Sequence, residues 1–266
     1  MMGEAIVITS GKGGVGKSTT TANVGTALAL MDKRVCLIDT DIGLRNLDVI
    51  MGLENRIIYD IVDVIEERCR LQQALIQDKR FSHLSLLPAA QTSDKSAVTE
   101  EGMLKIIAEL KQDYDYIIID CPAGIEQGFK NAIAGADKAI VVTTPEKSSV
   151  RDADRIIGLI EQREMERPQL IINRIRNHMM KDGDTLDIDD VIQVLSIDLL
   201  GIVIDSDDVI KASNEGEPVA LKNDNKASIA YRNIARRILG ESVPLQTLEE
   251  NKGMFQKMKS LFGFKS

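Results

Sequence analysis

Short apolar runs alternate along the chain with longer stretches in which apolar side chains recur every three or four positions, and this alternation predicts the elements. Residues 5–9, 35–38, 84–88, 116–120, 138–143, 170–174 and 200–204 read as strands. The unbroken Tyr116-Ile117-Ile118-Ile119 is the pattern of a strand covered on both faces. Helical spacing predicts helices over 20–31 (Val24, Ala27, Leu28, Met31), 101–112 (Met103, Leu104, Ile107, Leu110), 149–162, 191–195, 209–213 and 227–239. Residues 47–80 read as short helices covering one sheet face, and 91–99 and 182–190 read as polar loops. Strands alternating with helices imply an α/β fold: a mainly parallel sheet flanked by helices on both faces.

Composition narrows this to one body with a tail. A chain of 266 residues, 44% hydrophobic, suits a single α/β domain over 1–240, a linker over 241–251 containing Pro244, and a compositionally distinct segment over 252–266. The formal charge of −8 argues against nucleic acid as a partner. Cys36, Cys69 and Cys121 form no C-x-x-C pair and suit small buried thiols in a reducing cytoplasm. No run is apolar for long enough to predict a signal peptide or a membrane span.

Chemistry concentrates where strands end. Gly11-Lys12-Gly13-Gly14-Val15-Gly16-Lys17-Ser18-Thr19 lies between a strand and a helix and matches G-x-x-x-x-G-K-[ST]. Glycines let backbone N–H groups turn toward phosphate oxygens, Lys17 would neutralise the β- and γ-phosphates, and the Ser18 hydroxyl would coordinate Mg²⁺. The second strand delivers Asp39 and Asp41 beside this loop, and 116–120 delivers Asp120, an aspartate placed to order the waters of magnesium. The strand over 170–174 ends in Asn173 and Arg174, an amide that can pair with an adenine edge and a guanidinium that can stack on a purine.

The string from Lys12 to Thr19, with its second lysine, resembles the deviant Walker A motif of the MinD/ParA family of ATPases, and the likeness extends over essentially the whole chain. The resemblance implies a P-loop NTPase fold, ATP and Mg²⁺ as cofactors, and an ATP-dependent homodimer in which Lys12 reaches the nucleotide of the other subunit. It implies that Asp41 positions the attacking water, that Asp39 helps hold the hydration shell of magnesium, and that Asn173 and Arg174 surround the base. The family pattern commonly has a proline near the position of Ile204, so the role of the loop at Asp205 is left open. The segment from Ser148 to Arg155 resembles the family helix that contacts regulators, with Arg151, Asp152 and Asp154 on it; helix-dipole electrostatics is an equally good account of these acids.

The last fifteen residues carry four lysines, no acid and three of the five phenylalanines. At 100° per residue, Met254, Phe255, Met258, Leu261 and Phe262 share one arc of about 120°. With Lys257 and Lys259 they form a basic amphipathic tail helix suited to anionic membrane lipids, or else a terminal helix docked on its own domain. The segment also resembles the membrane-targeting tail of MinD-type chains. The resemblance therefore implies an ATPase on the cytoplasmic face of the cell membrane. Such an ATPase recruits a MinC-type division inhibitor to regulate division-site placement, in company with a MinE-type or other topological regulator. Two alternatives remain: a ParA-type partition ATPase that binds DNA, and a nucleotide-binding scaffold with little hydrolysis. The missing C-x-x-C pair disfavours a third, an iron–sulfur carrier on the same fold.

Overall fold

The computed structural model describes residues 2–163 and 165–245. Its strands are β1 (Glu4–Thr9), β2 (Val35–Asp39), β3 (Ile76–Gln77), β4 (Leu84–Leu87), β5 (Tyr116–Asp120), β6 (Lys138–Thr143), β7 (Gln169–Ile175) and β8 (Leu199–Ile204). The helices are α1 (Lys17–Ala29), α2 (Leu47–Met51), α3 (Ile61–Ile65), α4 (Leu71–Ala74), α5 (Glu100–Asp113), α6 (Gln127–Ile133), α7 (Lys147–Glu161), α8 (Asn177–Lys181), α9 (Ile188–Leu195), α10 (Asp207–Asn214) and α11 (Lys226–Ile238).

The strands form an eight-stranded sheet in the order β3-β4-β2-β5-β1-β6-β7-β8, parallel except for β3 against β4. The chain leaves β1 toward β2 on one side and later toward β6 on the other, so the carboxyl ends near β1 frame the crevice where open parallel sheets take ligands. Successive strand residues face opposite layers. Ala5 and Val7 point into a core shared with α3, α5, α6, α7 and α9, while Ile6 and Ile8 point into one shared with α1, α2 and α11.

The segment 47–80 does not cover a single face. Leu47, Ile50 and Met51 of α2 join the α1 side, whereas Ile61, Val62, Leu71 and Ala74 of α3 and α4 join the opposite core, so the chain wraps the sheet edge. It then adds β3, which is too short to show alternation in sequence. Helices α6 and α8 occupy stretches to which the sequence pattern assigned no element, α9 begins at Ile188 inside the stretch read as a loop, and α1 begins at Lys17 because Gly16 turns directly into it. The expected linker is docked where it leaves the domain: Arg237 donates to the carbonyls of Val243 and Pro244 at 3.0 and 2.7 Å. The tail residues Phe255, Lys257, Met258, Lys259, Leu261 and Phe262 lie outside the described residues.

Candidate functional site

The carboxyl ends of β1, β2, β5, β7 and β8 converge on two adjoining spaces. A cleft of about 400 Å³ is lined by Gly13, Lys17, Ser18, Asp41, Asn46 and Arg174, among others. A cavity of about 300 Å³ continues from it past Gly16, Thr19, Asn173, Arg174, Ser206 and Asp207. The two spaces share Gly16, Thr19, Arg174, Ser213 and Asn214; the first lies against the loop expected to hold phosphates and the second against Asn173, expected at the base.

The loop after β1 is shaped by glycine where a side chain has no room. Gly16 caps α1 with φ +96°, and a Cβ there would lie 2.3 Å from Nδ2 of Asn173. The Asn173 amide donates to the Val15 carbonyl at 2.8 Å and is 5% exposed. Asn173 therefore clamps the loop from the base side as well as lining the cavity. A Cβ on Gly11 would lie 2.1 Å from the Asp152 carbonyl oxygen, so the start of the loop rests on the α7 backbone. With Gly16 as cap, the N–H groups of Lys17, Ser18 and Thr19 begin a helix, have no intrahelical acceptor and form a site for anions.

Asp39 and Asp120 are register neighbours on β2 and β5, 1% and 0% exposed. The Asp39 carboxylate accepts the N–H groups of Asp41 and Leu47 at 2.9 and 3.3 Å, which closes the loop carrying Asp41 around it. Asp120 Oδ1 accepts the Thr21 hydroxyl at 3.3 Å, while its buried Oδ2 has no hydrogen-bond partner. Burial pushes both carboxyls above the ordinary range, and the charge of Asp120 raises Asp39 further. The nearby Ser18 hydroxyl and the charge of Lys17 oppose the rise at Asp120. Two adjacent buried acids with one orphaned oxygen fit a cation. The Ser18 hydroxyl and carboxylate oxygens are the hard ligands that Mg²⁺ takes. No cluster of three or more acid, histidine or cysteine side chains able to cage a metal occurs among the described residues.

Asp41 is half-buried and lines the cleft with Lys17 and Ser18. Lys12 stands elsewhere: its exposed ammonium donates to the Ser148 hydroxyl at 3.1 Å, on the first turn of α7. Because α7 starts at Lys147, Asp152 and Asp154 fall beyond its first turn, where the helix dipole has little hold. Dipole electrostatics thus loses its force as their explanation. Arg151 and Asp154 are exposed, while Asp152 is half-buried with Arg155 3.9 Å away.

An irregular register in β7 between Ile172 and Ile175 turns Arg174, at φ +55°, out into both compartments while Asn173 points in. The loop after β8 closes the outer rim through an Arg176–Asp205 ion pair at 2.6 Å and the Asp205 N–H on the Ile175 carbonyl at 3.0 Å. Ile204 still lines the cavity at the position where proline was expected. Sequence reasoning missed Asn46, which precedes α2, Val49 of α2, and Ser213 and Asn214 at the far wall, and it left open the role of the loop carrying Ser206. One signal was available: Ser206-Asp207-Asp208 after a strand is a helix start, and Ser206 does accept the Asp208 N–H at 3.2 Å.

Residues 3–172 match the AAA domain family. The chain is 73% identical over 268 residues to the septum site-determining protein MinD of Bacillus subtilis, with all of both chains covered. Among solved structures, it resembles the MinD-containing MinC:MinD cell division protein complex of Aquifex aeolicus at TM-score 0.85 and 50% identity, covering 92% of this chain and 99% of that one. It also resembles the septum site-determining protein MinD complexed with Mg-ADP from Pyrococcus horikoshii at TM-score 0.81 and 28% identity, covering 89% and 96%.

Proposed function

The chain belongs to the MinD family of septum site-determining P-loop ATPases, and from that premise we propose that it is a Mg²⁺-dependent ATPase that dimerises with ATP and regulates division-site placement at the membrane. In this reading the dimer binds the cytoplasmic face of the cell membrane through its C-terminal segment and recruits a MinC-type division inhibitor, under a MinE-type or other topological regulator. The relative solved with MinC supports that partner. The relative solved with Mg-ADP supports the cofactors.

One observation carries the reading. The cleft gathers Lys17, Ser18 and Asp41, with Asp120 buried beside them, while the Lys12 ammonium stands outside it on the surface. Loop N–H groups and Lys17 hold the phosphates in place. Ser18, Asp120 and, behind them, Asp39 would hold Mg²⁺, which offsets phosphate charge. Asp41 orients water for in-line attack on the γ-phosphate. Lys12, free to leave Ser148, supplies its charge to the nucleotide of the other subunit. Arg151, Asp152 and Asp154 on α7, beside the loop, form the surface for the division inhibitor, and Arg174 and Asn173 hold the base.

Phosphate release and light scattering in Mg·ATP test this together. The reading predicts release and a doubled mass with a slowly hydrolysed analogue. Absence of release contradicts the enzyme, and release at constant monomer mass contradicts the dimer.

A further inference from the structure

The two walls of the nucleotide cleft touch at a point outside it. Gly52 ends α2 at φ +66°, and Gly216 follows α10, also at φ +66°. A Cβ on Gly52 would lie 2.8 Å from the Gly216 carbonyl oxygen, and one on Gly216 would lie 2.6 Å from the Gly52 Cα. The backbones therefore meet with no side chain between them. Arg80 spans the joint, donating from Nη2 to the Met51 carbonyl at 3.0 Å and from Nη1 to the Gly216 carbonyl at 3.2 Å.

The guanidinium is itself fixed. Asp78, whose side chain is fully buried, accepts from Nε at 2.9 Å and from Nη2 at 2.6 Å, and also takes the Arg80 N–H at 2.7 Å. A planar fork held bidentately keeps its remaining donors in a set direction, which a lysine cannot do. The carbonyls it grips belong to two functional walls. Helix α2 continues from the loop of Asp41, and Asn46 before it and Val49 on it line the phosphate compartment. Helix α10 lines the base compartment with Ile210, Ser213 and Asn214.

We propose that Arg80, held by Asp78, is a positioning residue of the nucleotide site: it joins the base-side wall to the wall that carries Asp41, so that nucleotide bound against α10 orders the segment over 41–52, the Asp41 loop and α2. Arg80 lines neither compartment and acts through the backbones of Met51 and Gly216. The proposal rests on the nucleotide-site reading above. Coupling between linked sites is typically about 5- to 150-fold, and a joint made by two hydrogen bonds belongs at the low end.

Hydrogen exchange of the full chain with and without Mg·ADP tests it, comparing wild type with Arg80→Lys. Lysine keeps a cation beside buried Asp78 and so protects the fold, but it cannot hold both carbonyls from a fixed plane. In wild type, Mg·ADP should slow exchange over 11–19, over 206–214 and, by roughly tenfold, over 41–52. In Arg80→Lys the first two should persist, while slowing over 41–52 falls below about twofold and ADP binds several-fold more weakly. The paired neutral variant Asp78→Asn with Arg80→Gln should behave likewise, and it guards against a result peculiar to lysine. A residue that only stabilised the fold would raise exchange without ligand and leave the ADP-induced difference intact. Equal slowing over 41–52 in wild type and variants overturns the proposal alone. Wild type with no protection anywhere in the cleft overturns the nucleotide-site reading and the proposal with it.

Discussion

Replacing Gly16 by alanine tests how tightly the phosphate loop is built. The residue sits at φ +96° and ψ +30°, and alanine in the left-handed region costs about 1–2 kcal/mol. Its Cβ would also lie 2.3 Å from the Asn173 amide, which must swing away and give up its 2.8 Å bond to the Val15 carbonyl. A hydrogen bond of this kind contributes about 0.5–1.5 kcal/mol. If the penalties fall on the bound geometry, Gly16→Ala weakens ADP binding by roughly 10- to 300-fold, at about 1.4 kcal/mol per tenfold. Asn173→Ala alone loses only the bond and the base contact, so its deficit should be smaller, about 2- to 10-fold. In the double variant no amide remains to be displaced, so the losses should fall short of additivity by about the energy of that bond. Calorimetric titration of ADP into the four proteins measures this. Strict additivity, or a Gly16→Ala protein with wild-type affinity, would refute the idea that Asn173 and Gly16 share one tight contact.

Asp41→Ala should bind ATP normally and lose turnover by about 10²- to 10⁴-fold, measured as phosphate release; unchanged turnover removes Asp41 from the mechanism. Lys12→Ala should bind ATP as a monomer without dimerising, whereas Lys17→Ala should lose triphosphate binding itself; scattering beside a binding titration separates the two. Burial pushes the Cys36 thiol up and the Cys121 thiol to about 12, and it also raises the partly exposed Cys69 beside Asp63 and Asp60. Thiols react as thiolates, so a disulfide reagent at mildly alkaline pH should titrate about one group slowly in the native protein and all three after unfolding. Rapid reaction of all three in the folded state contradicts that burial.

The sheet was legible because its inner strands are apolar throughout: Ile117, Ile118 and Ile119, or Ile140, Val141 and Val142, admit no other reading at their length. The phosphate loop was legible because its spacing is fixed by the backbone cradle that it forms. Helix α6 was not, since only Phe129, Asn131, Ala132 and Ile133 are buried in it and glycine-containing turns surround it. Asn173 was assigned to the base, yet its amide also holds Val15, a partner distant in sequence that no local pattern reveals. The same holds for Arg80, which no local pattern marks and which in the fold reaches Met51 and Gly216. The reversal of faces between α2 and α3 escaped for a related reason: helical spacing shows that a helix has an apolar side, but not which side of the sheet that side meets.

The central claim links nucleotide to membrane. Each tail lysine near an anionic surface contributes about 1 kcal/mol, and burying a Leu, Met or Phe side chain contributes about 1.5–3 kcal/mol. In the proposed reading, ordering a segment this short as a helix on the membrane would offset much of that, so one tail would bind weakly. Two tails in the proposed dimer would make the second insertion intramolecular, which would raise avidity by about 10²- to 10⁴-fold. Co-sedimentation with anionic vesicles in a slowly hydrolysed ATP analogue, in ADP and without nucleotide measures this directly, with scattering to report mass. The account predicts sedimentation only where the protein is dimeric, and its loss in Phe255→Glu or Phe262→Glu with ATP binding intact. Equal sedimentation of an ADP monomer and an ATP dimer, or undiminished sedimentation of those variants, contradicts it.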